Sequence, residues 1–121
     1  MHLLLADDDA SIAAVARLGL RRAGCTVTVV EDGPAALEAA RGSAFDGLIL
    51  DWFLPGMDGI DVCRQLTSDP DWVPVPIVFL TGASHDGAEA EAVAAGARGL
   101  ILKPFDPLTL GDRVQALLAA R

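Results

Sequence analysis

Short uninterrupted apolar runs alternate along this chain with stretches in which apolar residues recur every three or four positions. The runs are His2–Ala6 (HLLLA), Gly47–Asp51 (GLILD), Ile77–Leu80 (IVFL) and Leu100–Leu102 (LIL). Thr26–Val30 (TVTVV) makes a fifth, β-branched throughout. Continuous apolar runs fit parallel strands covered on both faces, and the partial alternation of Thr26–Val30 fits an edge strand with one wetter face. The periodic stretches predict helices. In Ser11–Ala23 the residues Ile12, Val15, Ala16 and Gly19 fall on one side and Arg17, Arg21 and Arg22 on the other, with Gly24 as the stop. Asp32-Gly33-Pro34 opens a second helix through Arg41, Pro34 being acceptable in a first turn. A third runs from about Asp58, an N-cap candidate, to Thr67, and a fourth, rich in alanine and carboxylates, from about His85 to Ala95. The last, from about Pro107 to Ala120, buries Leu110, Val114, Leu117 and Leu118. Asp69-Pro70-Asp71 with Pro74 and Pro76 reads as a connecting loop, and Gly96 and Gly99 frame a turn. Five strands alternating with five helices predict an α/β fold, a doubly wound parallel sheet with helices on both faces. No linker or low-complexity segment interrupts it, so residues 1–121 read as one domain.

The residues that end the apolar runs carry the chemistry. Strands one, three, four and five stop at Asp7-Asp8, Asp51, Thr81 and Lys103, and a doubly wound sheet gathers its strand ends at one edge, where loops and helix N-termini converge on ligands. Asp51 is placed where a buried strand surfaces, before Pro55, Gly56 and Gly59 turn the chain into the next helix. An acidic loop such as Asp7–Asp9, or a Lys-Pro after a strand, is by itself an ordinary solvated turn. Their joint occurrence at four strand ends is a different matter. Clustered carboxylates suit a hard cation such as Mg²⁺, lysine adds a point charge, and threonine adds a hydroxyl donor. Around one carboxylate these make a cradle for a phosphoryl group, and the carboxylate can be the nucleophile.

Charge narrows the partners. A net charge of −8 and an isoelectric point near 4.4 disfavour direct binding to nucleic acid or to an anionic membrane, both of which need a basic face. No apolar run approaches the roughly 18 residues of a membrane span, and the start lacks a signal-peptide pattern, so the expected location is cytoplasmic. Cys25 and Cys63 lie too far apart for a CxxC motif and sit among apolar neighbours, as small buried hydrophobes do.

LLLADDD, LILDWFLPGMDG, FLTGA and LKPF together resemble the acidic pair, phosphoacceptor strand, threonine position and Lys-Pro signature of the response-regulator receiver domains of two-component systems. The resemblance runs from Leu3 to the final helix. It implies a flavodoxin-like sheet of order 2-1-3-4-5, which agrees with strand two at an edge. It implies that Asp51 takes a phosphoryl group from a histidine kinase or histidine phosphotransfer protein, and that the domain promotes its own phosphoryl transfer and dephosphorylation without being an enzyme on another substrate. Asp8 would bind Mg²⁺ directly and Asp7 mainly through water, with Asp51 and the main-chain carbonyl of Phe53 completing the protein ligands. Thr81 would hydrogen-bond a phosphoryl oxygen, and Lys103, before a cis bond to Pro104, would pair with Asp51 or its phosphate. Output, through an attached domain or a homodimer, would use the face of helix four, strand five and helix five. Three residues before the lysine the family commonly has Tyr or Phe as a rotameric switch; this chain has Leu100.

Two other readings compete. A degenerate receiver would bind partners without phosphorylation, against which the complete set of Asp7, Asp8, Asp51, Thr81 and Lys103 argues. An aspartyl-nucleophile phosphatase typically has a second Asp two residues after the first, where this chain has Phe53. Trp52 and Phe53 read as core or rim packing, and His2 and His85 as surface histidines without a metal-ligand spacing.

Overall fold

A computed structural model describes residues 1–120. Five parallel strands, β1 (His2–Ala6), β2 (Thr26–Val30), β3 (Gly47–Leu50), β4 (Ile77–Thr81) and β5 (Gly99–Leu102), pair in the order β2-β1-β3-β4-β5. Between them run α1 (Ala10–Arg22), α2 (Gly33–Gly42), α3 (Gly59–Thr67) and α4 (Ala88–Ala94), and α5 (Pro107–Ala119) closes the order. The sheet is the expected one, with β2 at an edge. Alternate residues of the central strands feed two cores. Leu4, Leu48, Leu50 and Phe79 pack under α2, α3 and α4, while Leu3, Leu5, Ile49, Val78 and Leu80 pack under α1 and α5. All nine are at most 1 % exposed, which is why these strands show no polar alternation.

The helices start where the sequence offers caps. Asp9 Oδ1 accepts from the amides of Ser11 and Ile12, Asp32 Oδ1 from Ala35, and Asp106 Oδ1 from Leu108. Asp58 does occupy the N-cap of α3, but its side chain makes no cap bond. Three expectations are corrected. The inward stripe of α1 is Ala13, Ala16, Gly19 and Leu20, and Val15 is exposed. Small residues face inward because α5 lies close: a Cβ on Gly19 would meet the carbonyl of Pro107, and one on Gly111 would collide with Ala23. In α5, Leu117 is only half-buried and Gly111 takes the inward position beside Leu110, Val114 and Leu118. Helix α4 begins at Ala88 instead of His85, because Gly87 takes a left-handed φ of 84° that a helix cannot continue through.

Candidate functional site

The sheet reverses direction of growth between β1 and β3, so the residues that follow these two strands flank the crevice where open α/β sheets hold ligands. Backbone bonds extend the ladders just past the strand ends and fix the residues there. The Asp7 amide donates to the Val30 carbonyl (3.1 Å), that of Asp51 to Ala6 (2.9 Å) and that of Lys103 to Thr81 (2.9 Å). Asp7, Asp51 and Thr81 are thereby buried, at 2 %, 6 % and 0 % exposed, while Asp8 is exposed at the mouth.

Two buried carboxylates this close need a counter-charge. Lys103, the residue after β5, supplies it: its Nζ donates to Asp7 Oδ2 at 2.7 Å and to Asp51 Oδ2 at 2.9 Å. Burial opposes its charge, but the hydrogen bonds and fields of Asp51 and Asp7 outweigh that, and the ammonium holds its proton above the usual lysine range. The other oxygens face backbone. Asp7 Oδ1 accepts from the Asp9 amide (2.9 Å) and Asp51 Oδ1 from the Phe53 amide (3.3 Å). Carboxylate oxygens of Asp7, Asp8 and Asp51 all lie within 4.8 Å of one another. Opposite ligands of an octahedral Mg²⁺ stand about 4.2 Å apart, so the three carboxylates fit that ion with little movement.

The loop after Asp51 is tightly held. The Gly59 amide donates to the Trp52 carbonyl at 2.8 Å, and a Cβ on Gly59 would collide with the carbonyl oxygen of Asp51. Across the loop the Gly33 amide donates to the Pro55 carbonyl at 3.0 Å. Trp52 is buried with its ring 5.4 Å from that of Phe79, whereas Phe53 stands at the rim, 59 % exposed. On the facing side Thr81 Oγ1 accepts from the Ala83 amide at 3.2 Å, which leaves its hydroxyl proton for another acceptor. The Lys103–Pro104 bond is cis.

Asp7, Asp8, Asp51, Thr81 and Lys103 thus converge at one edge of the sheet, as their strand-end positions predict, with Phe53 on the loop that follows Asp51. Sequence reasoning did not anticipate that Lys103 bridges Asp7 as well as Asp51, although both acids follow strands that border the crevice. His85 is exposed, as expected of a surface histidine, but it has a partner the sequence did not signal. Its ring meets that of Trp52 edge-on with centroids 5.4 Å apart, a contact between residues 33 positions apart that no local pattern signals. A groove of about 580 Å³ between Ala40–Phe45 and Asp69–Val75 opens at the opposite end of the strands and holds none of these residues.

Residues 3–115 match the family model described as the response regulator receiver domain. Among curated relatives, the DNA-binding response regulator MtrA of Mycolicibacterium paratuberculosis is 43 % identical over 117 residues, 97 % of this chain and 51 % of the relative. The transcriptional regulatory protein CseB of Streptomyces coelicolor is 34 % identical over 97 % of this chain and 49 % of the relative. The chain spans about half the length of these relatives. Among solved structures, the chemotaxis response regulator CheY4 of Vibrio cholerae superposes with a TM-score of 0.87 at 32 % identity, over 97 % of this chain and 98 % of the other. The receiver domain of the sensor histidine kinase PA1611 of Pseudomonas aeruginosa, described with a magnesium ion coordinated in its active-site cleft, gives 0.85 at 28 % identity over 98 % of each.

Proposed function

The chain belongs to the response regulator receiver domain family, and from that premise we propose that Asp51 is its phosphoacceptor. The observation that carries the reading is the triangle of Asp7, Asp51 and Lys103, one ammonium held between two buried carboxylates at 2.7 and 2.9 Å. A purely structural ion pair needs one acid. A second carboxylate on the same lysine, with a third at the mouth, is costly unless the site serves an incoming cation and anion.

Asp8 and Asp51, with the main-chain carbonyl of Phe53, would hold Mg²⁺, and Asp7, whose oxygens are held at 2.7 and 2.9 Å against 2.9 and 3.3 Å for those of Asp51, would act mainly through water. Bound there, the ion supplies the positive charge that lets an anionic phosphodonor approach an anionic nucleophile. An oxygen of Asp51 bonds to phosphorus as the phosphorus–nitrogen bond of a phosphohistidine breaks, and the imidazole leaves with the electron pair. The Phe53 amide and Lys103 keep the carboxylate oriented, and Thr81 and Lys103 stand ready to donate to the phosphoryl oxygens. The donor is a histidine kinase or histidine phosphotransfer protein. Residues 1–121 act as one receiver domain, a signalling unit that catalyses only its own phosphoryl transfer and dephosphorylation. It passes its state to an output domain or a second copy through α4, β5 and α5, with no nucleic-acid contact of its own. A cytoplasmic location accords with the described residues, among which no helix is long and apolar enough to cross a membrane.

Incubation with acetyl phosphate or phosphoramidate and Mg²⁺ should add one phosphoryl group by intact mass. Chelation of the metal or Asp51→Asn should abolish the addition, and Asp8→Ala should reduce it at least tenfold. Full occupancy in Asp51→Asn would overturn the assignment.

A further inference from the structure

Helix α4 is fastened differently at its two ends. At the C-terminal end the Ala95 carbonyl accepts from two α3 side chains, Thr67 Oγ1 at 3.0 Å and Cys63 Sγ at 3.3 Å. The Cys63 thiol is pushed up to about 12 by burial, against a weaker opposing pull from Arg64, so it stays a protonated donor. At the N-terminal end the cap residue is Gly87, which has no side chain to close the first turn. Besides the burial of Ala88 in the core, what fastens this end is His85. Its backbone carbonyl accepts from the Ala88 amide at 3.0 Å, its Nε2 lies 3.2 Å from Glu91 Oε2 one turn into the helix, and its ring stands edge-on to Trp52.

We propose that Trp52, His85 and Glu91 form a latch through which the state of Asp51 reaches the N-terminal end of α4, with His85 as the positioning residue. The proposal rests on Asp51 being the phosphoacceptor. Trp52 is the next residue after Asp51 and is pinned by Phe79 and by the Gly59 amide on its carbonyl, so it is a fixed stop. His85 lies four residues after Thr81 on the loop that enters α4. A phosphoryl group on Asp51 presents new acceptor oxygens to the Thr81 hydroxyl, and drawing Thr81 toward them draws the Thr81–Gly87 segment along. His85 then shifts against the fixed Trp52 ring and carries Glu91 with it. Because the far end of α4 is held by Thr67 and Cys63, the helix pivots about Ala95 instead of translating. Leucine at position 100 leaves β5 without an aromatic that could carry the same message, which gives the α4 route more of the signal.

The test uses beryllofluoride with Mg²⁺ as the phosphoryl mimic on the wild type, His85→Ala and Glu91→Ala. Both substituted side chains are about half exposed, so neither change removes core. Fluorine resonance reports occupancy at Asp51, and amide shifts report the response. Occupancy should be equal in all three proteins and shifts next to Asp51 and Lys103 retained, while shifts over Ala88–Ala95 fall by at least half in each variant. A full α4 response in either variant, at equal occupancy, overturns the latch alone. No bound fluorine signal in the wild type overturns the phosphoacceptor reading and the latch with it.

Discussion

On the β1–β3 side of Asp51 the backbone is closely packed and hydrogen-bonded. The acidic residues continue two paired strands, the Gly59 and Gly33 amides bond the loop that follows Asp51, and a Cβ at Gly33 or Gly59 would strike main-chain oxygen. Helices α1 and α2, which follow β1 and β2, are closed by Asp9 and Asp32. On the β4–α4 side the connection is Gly82, Ala83, Ser84, His85, Asp86 and Gly87, the helix it enters is seven residues long, and a Cβ at Gly82 or Gly87 would meet open space. Chemistry demands a fixed nucleophile, ammonium and metal site, since an error of an ångström costs rate. Switching demands a segment whose alternatives differ by little energy, drawn from the less stable parts of a fold. If Asp51 is the phosphoacceptor proposed above, the two demands fall on opposite flanks of one carboxylate.

The sharpest way to break this comparison is to add one methyl group to each flank. Gly59→Ala should cost about 3 kcal/mol or more, because main chain has to shift to admit it, and should reduce phosphorylation by displacing Asp51. Gly87→Ala should cost only about 1 kcal/mol, the strain of a left-handed alanine, and leave phosphorylation intact. Urea unfolding and intact mass check both. Equal costs would mean that the flanks do not differ in rigidity.

Removing the charge at the centre should have a smaller effect. Lys103→Met leaves Asp7 and Asp51 facing each other, and should destabilise the Mg²⁺-free protein by about 2 kcal/mol, below the range for a fully buried pair because the mouth admits water. The pH dependence has a definite sign. The folded pKa of Lys103 is raised, so its contribution is fully present below the ordinary value of 10.5 and is lost as pH rises through the raised one. The gap between wild type and variant should stay constant from pH 7 to 9 and narrow above 10.5. Urea unfolding across that range measures it, and a gap that closes below pH 9 would contradict the pairing.

The parallel sheet with helices on both faces, strand two at an edge and the convergence of Asp7, Asp51, Thr81 and Lys103 were legible in the sequence because each follows from a run of residues and what ends it, whereas the full strand order rested on the resemblance to the family. Four apolar strands stopping at polar side chains leave a parallel sheet little choice about where those side chains gather. The parts that could not be read depend on contacts between helices or on single torsions. Val15 has the spacing of an inward residue, yet α1 turns its small residues inward because Gly19 and Gly111 let α5 approach. The stretch from His85 to Ala95 is rich in alanine and carboxylates, yet one positive φ at Gly87 makes α4 start only at Ala88. The ring of His85 against Trp52 joins two loops whose proximity only the folded sheet creates.

The smallest expected effect separates the two routes out of the flexible flank, through α4 and through β5. Leu100 is half-buried against the core that holds Phe79 and Trp52, beside the buried Thr81 strand. If Thr81 moves toward a phosphoryl group, the space it vacates can be filled by Leu100, but leucine gains less there than a large ring, whose pairing with another aromatic is worth about 0.5–1.5 kcal/mol beyond its burial. A ligand shifts a population only by its differential interaction with the two states, so an energy gap smaller by about 1 kcal/mol changes their ratio about fivefold. With beryllofluoride and Mg²⁺, wild-type amide shifts over β5 and the start of α5 should therefore be modest beside those over α4. They should grow in Leu100→Tyr and vanish in Thr81→Ala. A wild-type β5 response already as large as that of Leu100→Tyr, and indifferent to Thr81, would show that the state of Asp51 leaves through Lys103 and its own strand.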